Sequence, residues 1–529
     1  MDAIEVSGLT KRYGRVEALR GADLSVDRGE VFGLVGPNGA GKTTLIKGLV
    51  GALRPSGGEA RVMGLNPLRD RAELRRRIGY MPQSSALYED LSARGNVRFF
   101  GAAHRTPDLR KKVDEAIHFT DLSGRADDPV HTFSGGMKRR VSLACALVHR
   151  PEMIFLDEPT AAMDPQLRSR FWKTFRELAS DGTTLFISTH LMDEAMLCDR
   201  IAILLSGRIL TADTPRRHPR KGQDAAYGRA KRHRGRSNHR RPSRGSGHRA
   251  SSLWSAARRN GYRRGDGHSG GSRAVADRER GGCVMCRTLL VAGRVVRQLL
   301  RNPRFLVLSV AAPLVIVYLL KIFFDTLPRT FDVARYAVPV AAFLVHFLAF
   351  LLCAISLVQE RTMGTMERMF INGFRRTEII AGYVLGFLGL ATFQAVAGLA
   401  EAIWLFELDY DGETLAMLFV VVWLLAIASV MLGIFISTFA RHEGQVFPFV
   451  PLIILPSVFL SGLLVDVDEL PTWADWLGHA FPLFWANDVI QDVIESGWTF
   501  EDVQRSLVIL VGYSIALLLL ASRTLREVE

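Results

Sequence analysis

The 529-residue sequence predicts an α/β domain followed by an all-α transmembrane domain of six spans. Three observations carry this. Up to residue 215, short β-branched runs alternate with helical stretches. From residue 288 onward, apolar runs recur at about the 20 residues a spanning helix needs. Between them, residues 216–287 hold 21 Lys/Arg against 4 Asp/Glu and show no apolar period. The expected domains are therefore 1–215, 216–287 and 288–529. A hydrophobic content of 48% and mean hydropathy of +0.13 exclude a disordered chain. Five cysteines exclude a disulfide scaffold and suit a reduced, cytosolic face. The net charge of +14 invites a nucleic-acid partner. Outside the basic segment, however, 46 Lys/Arg meet 49 Asp/Glu, so the basicity is local and no nucleic-acid partner is expected.

In the first domain, Val31-Phe-Gly-Leu-Val35, Met153-Ile-Phe-Leu156, Thr184-Leu-Phe-Ile-Ser188 and Ile201-Ala-Ile-Leu-Leu205 read as strands of a largely parallel sheet covered by helices. Met1-Asp-Ala-Ile-Glu-Val6 has no basic n-region and no long apolar run, so this domain is expected in the cytoplasm. After the first strand comes Gly36-Pro37-Asn38-Gly39-Ala40-Gly41-Lys42-Thr43-Thr44, a match to the P-loop pattern between strand and helix. Its glycines let backbone N–H groups face phosphates without a clash, and the following helix adds its positive end. Lys42 is expected at the β/γ-phosphates and Thr43 at Mg²⁺. Met153–Pro159 then ends an apolar strand in two acids. Asp157 is placed to hold Mg²⁺, and Glu158 to polarise an attacking water.

His131-Thr-Phe-Ser-Gly-Gly-Met137 makes the resemblance specific. The chain resembles an ABC-type ATPase, whose signature is usually written L-S-G-G-Q and here reads Phe133-Ser134-Gly135-Gly136-Met137. The first domain is thus an α/β P-loop ATPase domain with ATP and Mg²⁺ as its implied cofactors. A Ser hydroxyl and glycine N–H groups at a helix start form an anion site. In the family this signature contacts the γ-phosphate of ATP bound to the opposite subunit. One P-loop and one signature per chain therefore imply a homodimer. The resemblance also implies that Tyr13 stacks on adenine and that Gln83 links Mg²⁺ to the membrane domain. It further implies that Asp164 belongs to the loop after the two acids and that His190 senses the γ-phosphate. The Ala161-Ala-Met-Asp164 sequence departs from the common Ser-Gly-Leu-Asp form. The Phe-Ser-Gly-Gly-Met-Lys-Arg-Arg variant resembles the drug-resistance, daunorubicin-exporter-like branch.

Three readings of residues 216–287 stand: a solvated linker drawn to anionic lipid, a nucleic-acid tail, and a frameshift or fusion segment. Tyr227, Trp254 and Tyr262 are too sparse for a stacking platform. Cys283-Val-Met-Cys286 has no second pair at zinc spacing and reads as non-metal. Leu289 to Arg304 reads as an amphipathic helix on the membrane surface or as a plain linker. The six candidate spans are 305–324, 337–358, 379–404, 414–439, 446–465 and 504–522. Cytoplasmic flanks rich in arginine, and an outer loop at 466–503 with nine acids and no Lys or Arg, place both termini inside. That loop's Trp473, Trp476, Trp485 and Trp498 suit the outer interface. Glu401, in the third span, is the acid that depth would make costly, unless it lies at the outer interface.

Gln359-Glu-Arg-Thr-Met-Gly-Thr-Met-Glu-Arg368 is similar to the coupling element of ABC-2 type permeases. The whole chain is thus identified as an ABC half-transporter in the cell membrane, with its ATP-binding domain in the cytoplasm. The resemblance implies export of a small amphipathic drug, lipid or glycolipid by a homodimer in the lipid bilayer. An ion exporter, a membrane-anchored ATPase with a sensing or regulatory role, and a regulatory ATPase acting on ribosomes or nucleic acid are the alternatives.

Overall fold

The computed structural model describes residues 2–161, 163–215, 273–301, 303–326, 333–440, 442–465, 467–494 and 498–524. Most of the basic segment expected as a linker lies outside the described residues, as do Ala162 and Arg441. The chain divides into two compact units, one chiefly of the residues before the basic segment and one chiefly of those after it.

In the first unit, β1 (Asp2–Tyr13) and β2 (Val16–Asp27) form a hairpin. Gly14 supplies the positive φ (+56°) its turn needs. After β3 (Val31–Val35) and α1 (Lys42–Leu49), β4 (Gly57–Val62) pairs antiparallel with the free side of β1. The chain continues through α2 (Arg71–Arg77), β5 (Ile78–Met81), α3 (Ala93–Ala103), α4 (Leu109–Phe119), α5 (Gly135–Leu147), β6 (Met153–Asp157), α6 (Pro165–Ser180), β7 (Thr184–Thr189), α7 (Met192–Ala195), β8 (Arg200–Leu205) and β9 (Arg208–Asp213).

The second sheet has the order β5-β6-β7-β3-β8-β9 and is parallel except for β8 with β9. The four strand runs read from the sequence all fall in it. Strands β3, β6 and β7 are buried along their whole length, as a parallel sheet covered on both faces requires. Alternation splits their side chains between two cores. Phe32, Leu34, Phe155 and Phe186 pack with Leu45, Ile46 and Leu49 of α1. Val31, Ile154, Leu156, Leu185 and Ile187 pack with Leu143, Trp172 and Phe175 on the other face. Each such fully buried side chain contributes roughly 1.5–3 kcal/mol. Together they fix the carboxyl ends of β3, β6 and β7 side by side, the edge at which open α/β sheets bind ligands.

The second unit is helical, as expected: α8 (Arg273–Arg301), α9 (Pro303–Phe324), α10 (Ala334–Thr362), α11 (Thr365–Ile371), α12 (Arg376–Phe406), α13 (Gly412–Ser437), α14 (Phe449–Phe459), α15 (Thr472–Gly478), α16 (Pro482–Ile494) and α17 (Phe500–Thr524). Among the described residues, four helices are long and apolar enough to cross a membrane, at 335–362, 376–406, 412–437 and 500–524. The expected spans at 305–324 and 446–465 coincide with the shorter apolar helices Ser309–Phe324 and Phe449–Phe459. An 11-residue helix rises only about 16 Å, half the hydrocarbon thickness. Pro448 caps its start, Pro456 lies within it, and Gly462 turns the chain at φ +77° soon after its end.

Two expectations need correction. The amphipathic helix at 289–304 does not offer its whole apolar stripe to lipid. Val291 and Val295 are buried against Gly382 and Gly386 of α12, where an added Cβ would lie 2.5 and 2.6 Å from a valine side chain. Its Arg294 is buried too, paired with Glu360 and bonded to the Tyr383 hydroxyl at 2.5 Å. The acidic segment 466–503 is not simply a loop, because α15 and α16 occupy it. Leu483, Trp485, Val489 and Val493 of α16 join the helical core. Trp485 donates to the His479 carbonyl (3.0 Å) and Trp498 to Thr414 Oγ1 (3.1 Å), while Trp473 and Trp476 stay exposed. The expected short helix between the second and third spans is α11. Glu401 is half-buried on α12, its Oε2 without a hydrogen-bond partner.

Candidate functional site

The P-loop leaves β3 and turns into α1. Gly39 and Gly41 hold φ of +80° and +106°, open to glycine and costly for other residues. A Cβ on Gly36 would stand 2.3 Å from the Leu204 carbonyl oxygen, and one on Gly41 would stand 2.5 Å from that of Ala18. The loop therefore lies against backbone from beneath. Pro37, Asn38 and Gly39 face solvent, Ala40 is buried, and Thr44 is half-buried in the first turn of α1.

Lys42 is 5% exposed, and its three ammonium donors are spent locally. They reach the carbonyls of Gly36 (2.7 Å) and Pro37 (3.2 Å) and Glu158 Oε1 (3.1 Å). Thr43 Oγ1 donates to Asp157 Oδ2 at 2.8 Å. Ser188, facing Asp157 across the β6–β7 register, donates to Asp157 Oδ1 at 2.5 Å. The same hydroxyl accepts from the Glu158 N–H at 3.0 Å. Burial pushes the Asp157 carboxyl above the usual carboxylate range. The Ser188 and Thr43 bonds and the Lys42 charge oppose that rise, and Glu158 adds to it.

Glu158 is the hub. It is 7% exposed and holds φ +47°, unusual for a residue with a Cβ. Its Oε1 meets Lys42. Its Oε2 accepts from Gln83 Nε2 (3.3 Å) and lies 3.3 Å from His190 Nδ1. Its carbonyl accepts from Arg139 Nη1 at 3.0 Å. The structure thus brings Lys42, Thr43, Gln83, Asp157, Glu158 and His190 into one cluster, although they span much of the first unit. Thr43 and Asp157 present hard oxygen donors side by side, the donor set that suits Mg²⁺. The loop's N–H groups and Lys42 suit the phosphates of a nucleotide.

Other expected residues stand apart. Tyr13, half-buried at the end of β1, lies under the Lys11 ammonium at 4.7 Å from its ring centre. Ser134 caps α5, accepting from the Met137 N–H at 3.3 Å, and Asp164 caps α6 through the Leu167 N–H at 2.9 Å. Ser134, Gly135 and Asp164 are exposed, and Gly136 packs on Leu167. Among the described residues, none of these forms a hydrogen bond with the P-loop. Two residues of the cluster escaped the sequence reading: Ser188, recognisable only once β6 and β7 are in register, and Arg139, whose role depends on how α5 packs.

A parallel sheet that presents a phosphate loop, a lysine and two carboxylates at the ends of adjacent strands defines a P-loop ATPase, here joined to a bundle of apolar helices. Residues 19–161 match the ABC transporter family and residues 287–494 the ABC-2 type transporter family. The chain is 43% identical over 215 residues to the daunorubicin resistance ATP-binding protein DrrA3 of Streptomyces coeruleorubidus, covering 40% of this chain and 68% of that protein. It is 37% identical to the linearmycin resistance ATP-binding protein LnrL of Bacillus subtilis, covering 40% of this chain and 69% of that one. It is 40% identical to the Nod factor export ATP-binding protein I of Rhizobium meliloti, covering 40% and 64%. A solved dimeric ATP-binding cassette bound to ADP and Pi is 27% identical at a TM-score of 0.38, covering 41% of this chain and all of that one. The chain belongs to the ABC transporter family: an ABC ATPase and an ABC-2 permease in one multi-pass membrane protein, with the ATP-binding domain on the cytoplasmic side.

Proposed function

We propose that this protein is an ATP-driven exporter of a small amphipathic compound that works as a homodimer of half-transporters. The observation that carries the proposal is the convergence of Lys42, Gln83 and His190 on the Glu158 carboxylate. Glu158 takes the proton of the attacking water as the water oxygen bonds to the γ-phosphorus. The bond from that phosphorus to the β–γ bridging oxygen breaks, and ADP leaves. Lys42 moves from its carbonyl partners to the β/γ-phosphates, and His190 orients the γ-phosphate. Thr43 and Asp157, with Gln83 nearby, would hold Mg²⁺, which would supply charge neutralisation at the phosphates. Tyr13 carries the adenine ring.

Ser134, Gly135, Gly136 and Asp164 serve the nucleotide of a second copy. The exposure of Ser134, Gly135 and Asp164, and the lack, among the described residues, of hydrogen bonds from these four to the P-loop of their own chain, support that role. A six-span arrangement with both termini inside would take α9 as one crossing and would need the short α14 together with its flanking chain for another. Resistance to daunorubicin and linearmycin in the names of relatives supports an amphipathic substrate, and the Nod factor relative supports export. Coupling requires ATP-bound and ATP-free states to favour different arrangements of the spans.

The test is ATPase activity and flux in proteoliposomes. Daunorubicin is expected to stimulate hydrolysis and to move in an ATP-dependent way. Glu158→Gln is expected to bind ATP, form a stable dimer and lose about 10²–10⁴ of its turnover, the range of a general base. Hydrolysis without flux of any tested amphipath would indicate a sensor instead. A monomer hydrolysing at full speed would refute the shared site.

A further inference from the structure

Glu158 carries a backbone conformation (φ +47°) that a side chain resists, so its surroundings must hold it there. Its peptide is held on both sides. The N–H is bonded to Ser188 Oγ at 3.0 Å and to the Ser188 carbonyl at 3.2 Å. The carbonyl accepts from Arg139 Nη1 at 3.0 Å and, within its own turn, from the Ala161 N–H at 3.3 Å. The first two anchors come from β7, the neighbouring strand. Arg139 comes from α5, whose first residues follow the Ser134 cap and present Gly135 and Gly136. Burial lowers the Arg139 pKa, and the facing Glu158 and Asp157 carboxylates oppose that. A planar guanidinium on a rigid helix fixes a carbonyl more firmly than a flexible ammonium does.

We infer that Arg139 is a positioning residue that ties the signature end of α5 to the Glu158 peptide of the same chain, so that engagement of the signature at one shared site sets the aim of the acid at the other. The inference rests on the reading that Glu158 is the base and that the signature serves a second copy's nucleotide. The step from Arg139 to Glu158 is one hydrogen bond, and the step from the signature to Arg139 is just over one turn of continuous helix. Any shift of the helix start toward a bound phosphate moves the guanidinium, and with it a hydrogen bond that α5 makes to the Glu158 carbonyl. Each half of the dimer would then report its signature contact to its own acid, and the two sites would fire in a linked way.

The experiment uses the full chain in lipid nanodiscs, with ATP affinity, kcat and the Hill coefficient for ATP measured on wild type, Arg139→Met, Arg139→Gln and Glu158→Gln. Wild type is expected to show a Hill coefficient above 1. Arg139→Met is expected to lose about tenfold to a hundredfold in kcat, the range for one hydrogen bond from a charged donor, with ATP affinity within about twofold and the Hill coefficient falling toward 1. Arg139→Gln can still donate to the carbonyl and is expected to recover part of both. A wild-type Hill coefficient of 1 overturns the relay. So does an Arg139→Met protein with wild-type kcat and cooperativity. Parallel loss of ATP affinity and kcat in both Arg139 variants also overturns it, because that pattern marks a purely structural residue. Full turnover in Glu158→Gln overturns the underlying reading, whereas its loss alongside a fast Arg139→Met overturns the relay alone.

Discussion

Ser188→Ala probes the least obvious part of the site. One hydroxyl donates to Asp157 Oδ1 at 2.5 Å and accepts from the Glu158 N–H at 3.0 Å, and the residue is fully buried. The bond to the carboxylate is charge-assisted and contributes about 1.5–3 kcal/mol. The bond from Glu158 is neutral, and its N–H keeps the Ser188 carbonyl at 3.2 Å, so its loss adds no more than about 1 kcal/mol. The expected destabilisation is roughly 2–4 kcal/mol. In a unit of this size that lowers the melting temperature by about 4–16 °C. The functional effect is separate. Asp157 loses an orienting partner, and the apparent Mg²⁺ affinity for activating hydrolysis is expected to fall about 10- to 100-fold, as for other residues that orient a metal ligand. The assay is ATPase rate against Mg²⁺ at saturating nucleotide, alongside thermal unfolding. A Ser188→Ala protein with wild-type melting and an unmoved Mg²⁺ curve would refute the argument, because both losses follow from the same hydroxyl.

Three further outcomes are expected. Lys42→Ala removes the ammonium between the loop carbonyls and Glu158 and the charge for the phosphates; nucleotide affinity should fall at least tenfold or so by titration. Gly41→Ala forces a Cβ to 2.5 Å from the Ala18 carbonyl at φ +106° and should cost about 1–3 kcal/mol or more in denaturant unfolding, with the loop's phosphate binding lost first. His149 donates from Nε2 to the Ile78 carbonyl (2.9 Å) and leaves Nδ1 buried without a partner, and burial pushes its pKa down to about 4. The unfolded chain therefore binds the extra proton between about pH 6.5 and 4. Stability should be fully present above that window and fall by about 3 kcal/mol as pH drops through it, and His149→Gln should flatten this part of the curve.

The sequence by itself determined the local chemistry. A P-loop must read as glycines and a lysine in a row, because a phosphate is wrapped by consecutive backbone N–H groups; hence Gly36 to Thr44 were legible without a fold. The strands that carry Asp157 and lead to His190 were legible because a sheet covered on both faces leaves a continuous apolar run, and the spans at 337–358 or 414–439 were legible because lipid imposes length and composition on a single segment. What only the tertiary structure decided is who faces whom. That Ser188 stands opposite Asp157 is a matter of strand register, and that Arg139 holds the Glu158 carbonyl is a matter of how α5 packs; neither leaves a periodic trace. The same limit explains α8 and α16. Val291, Arg294 and Leu483 have the composition of a membrane surface or an outer loop, but a side chain that alternates with polar neighbours can be covered by lipid, water or protein alike, and only the packed helices beside it choose.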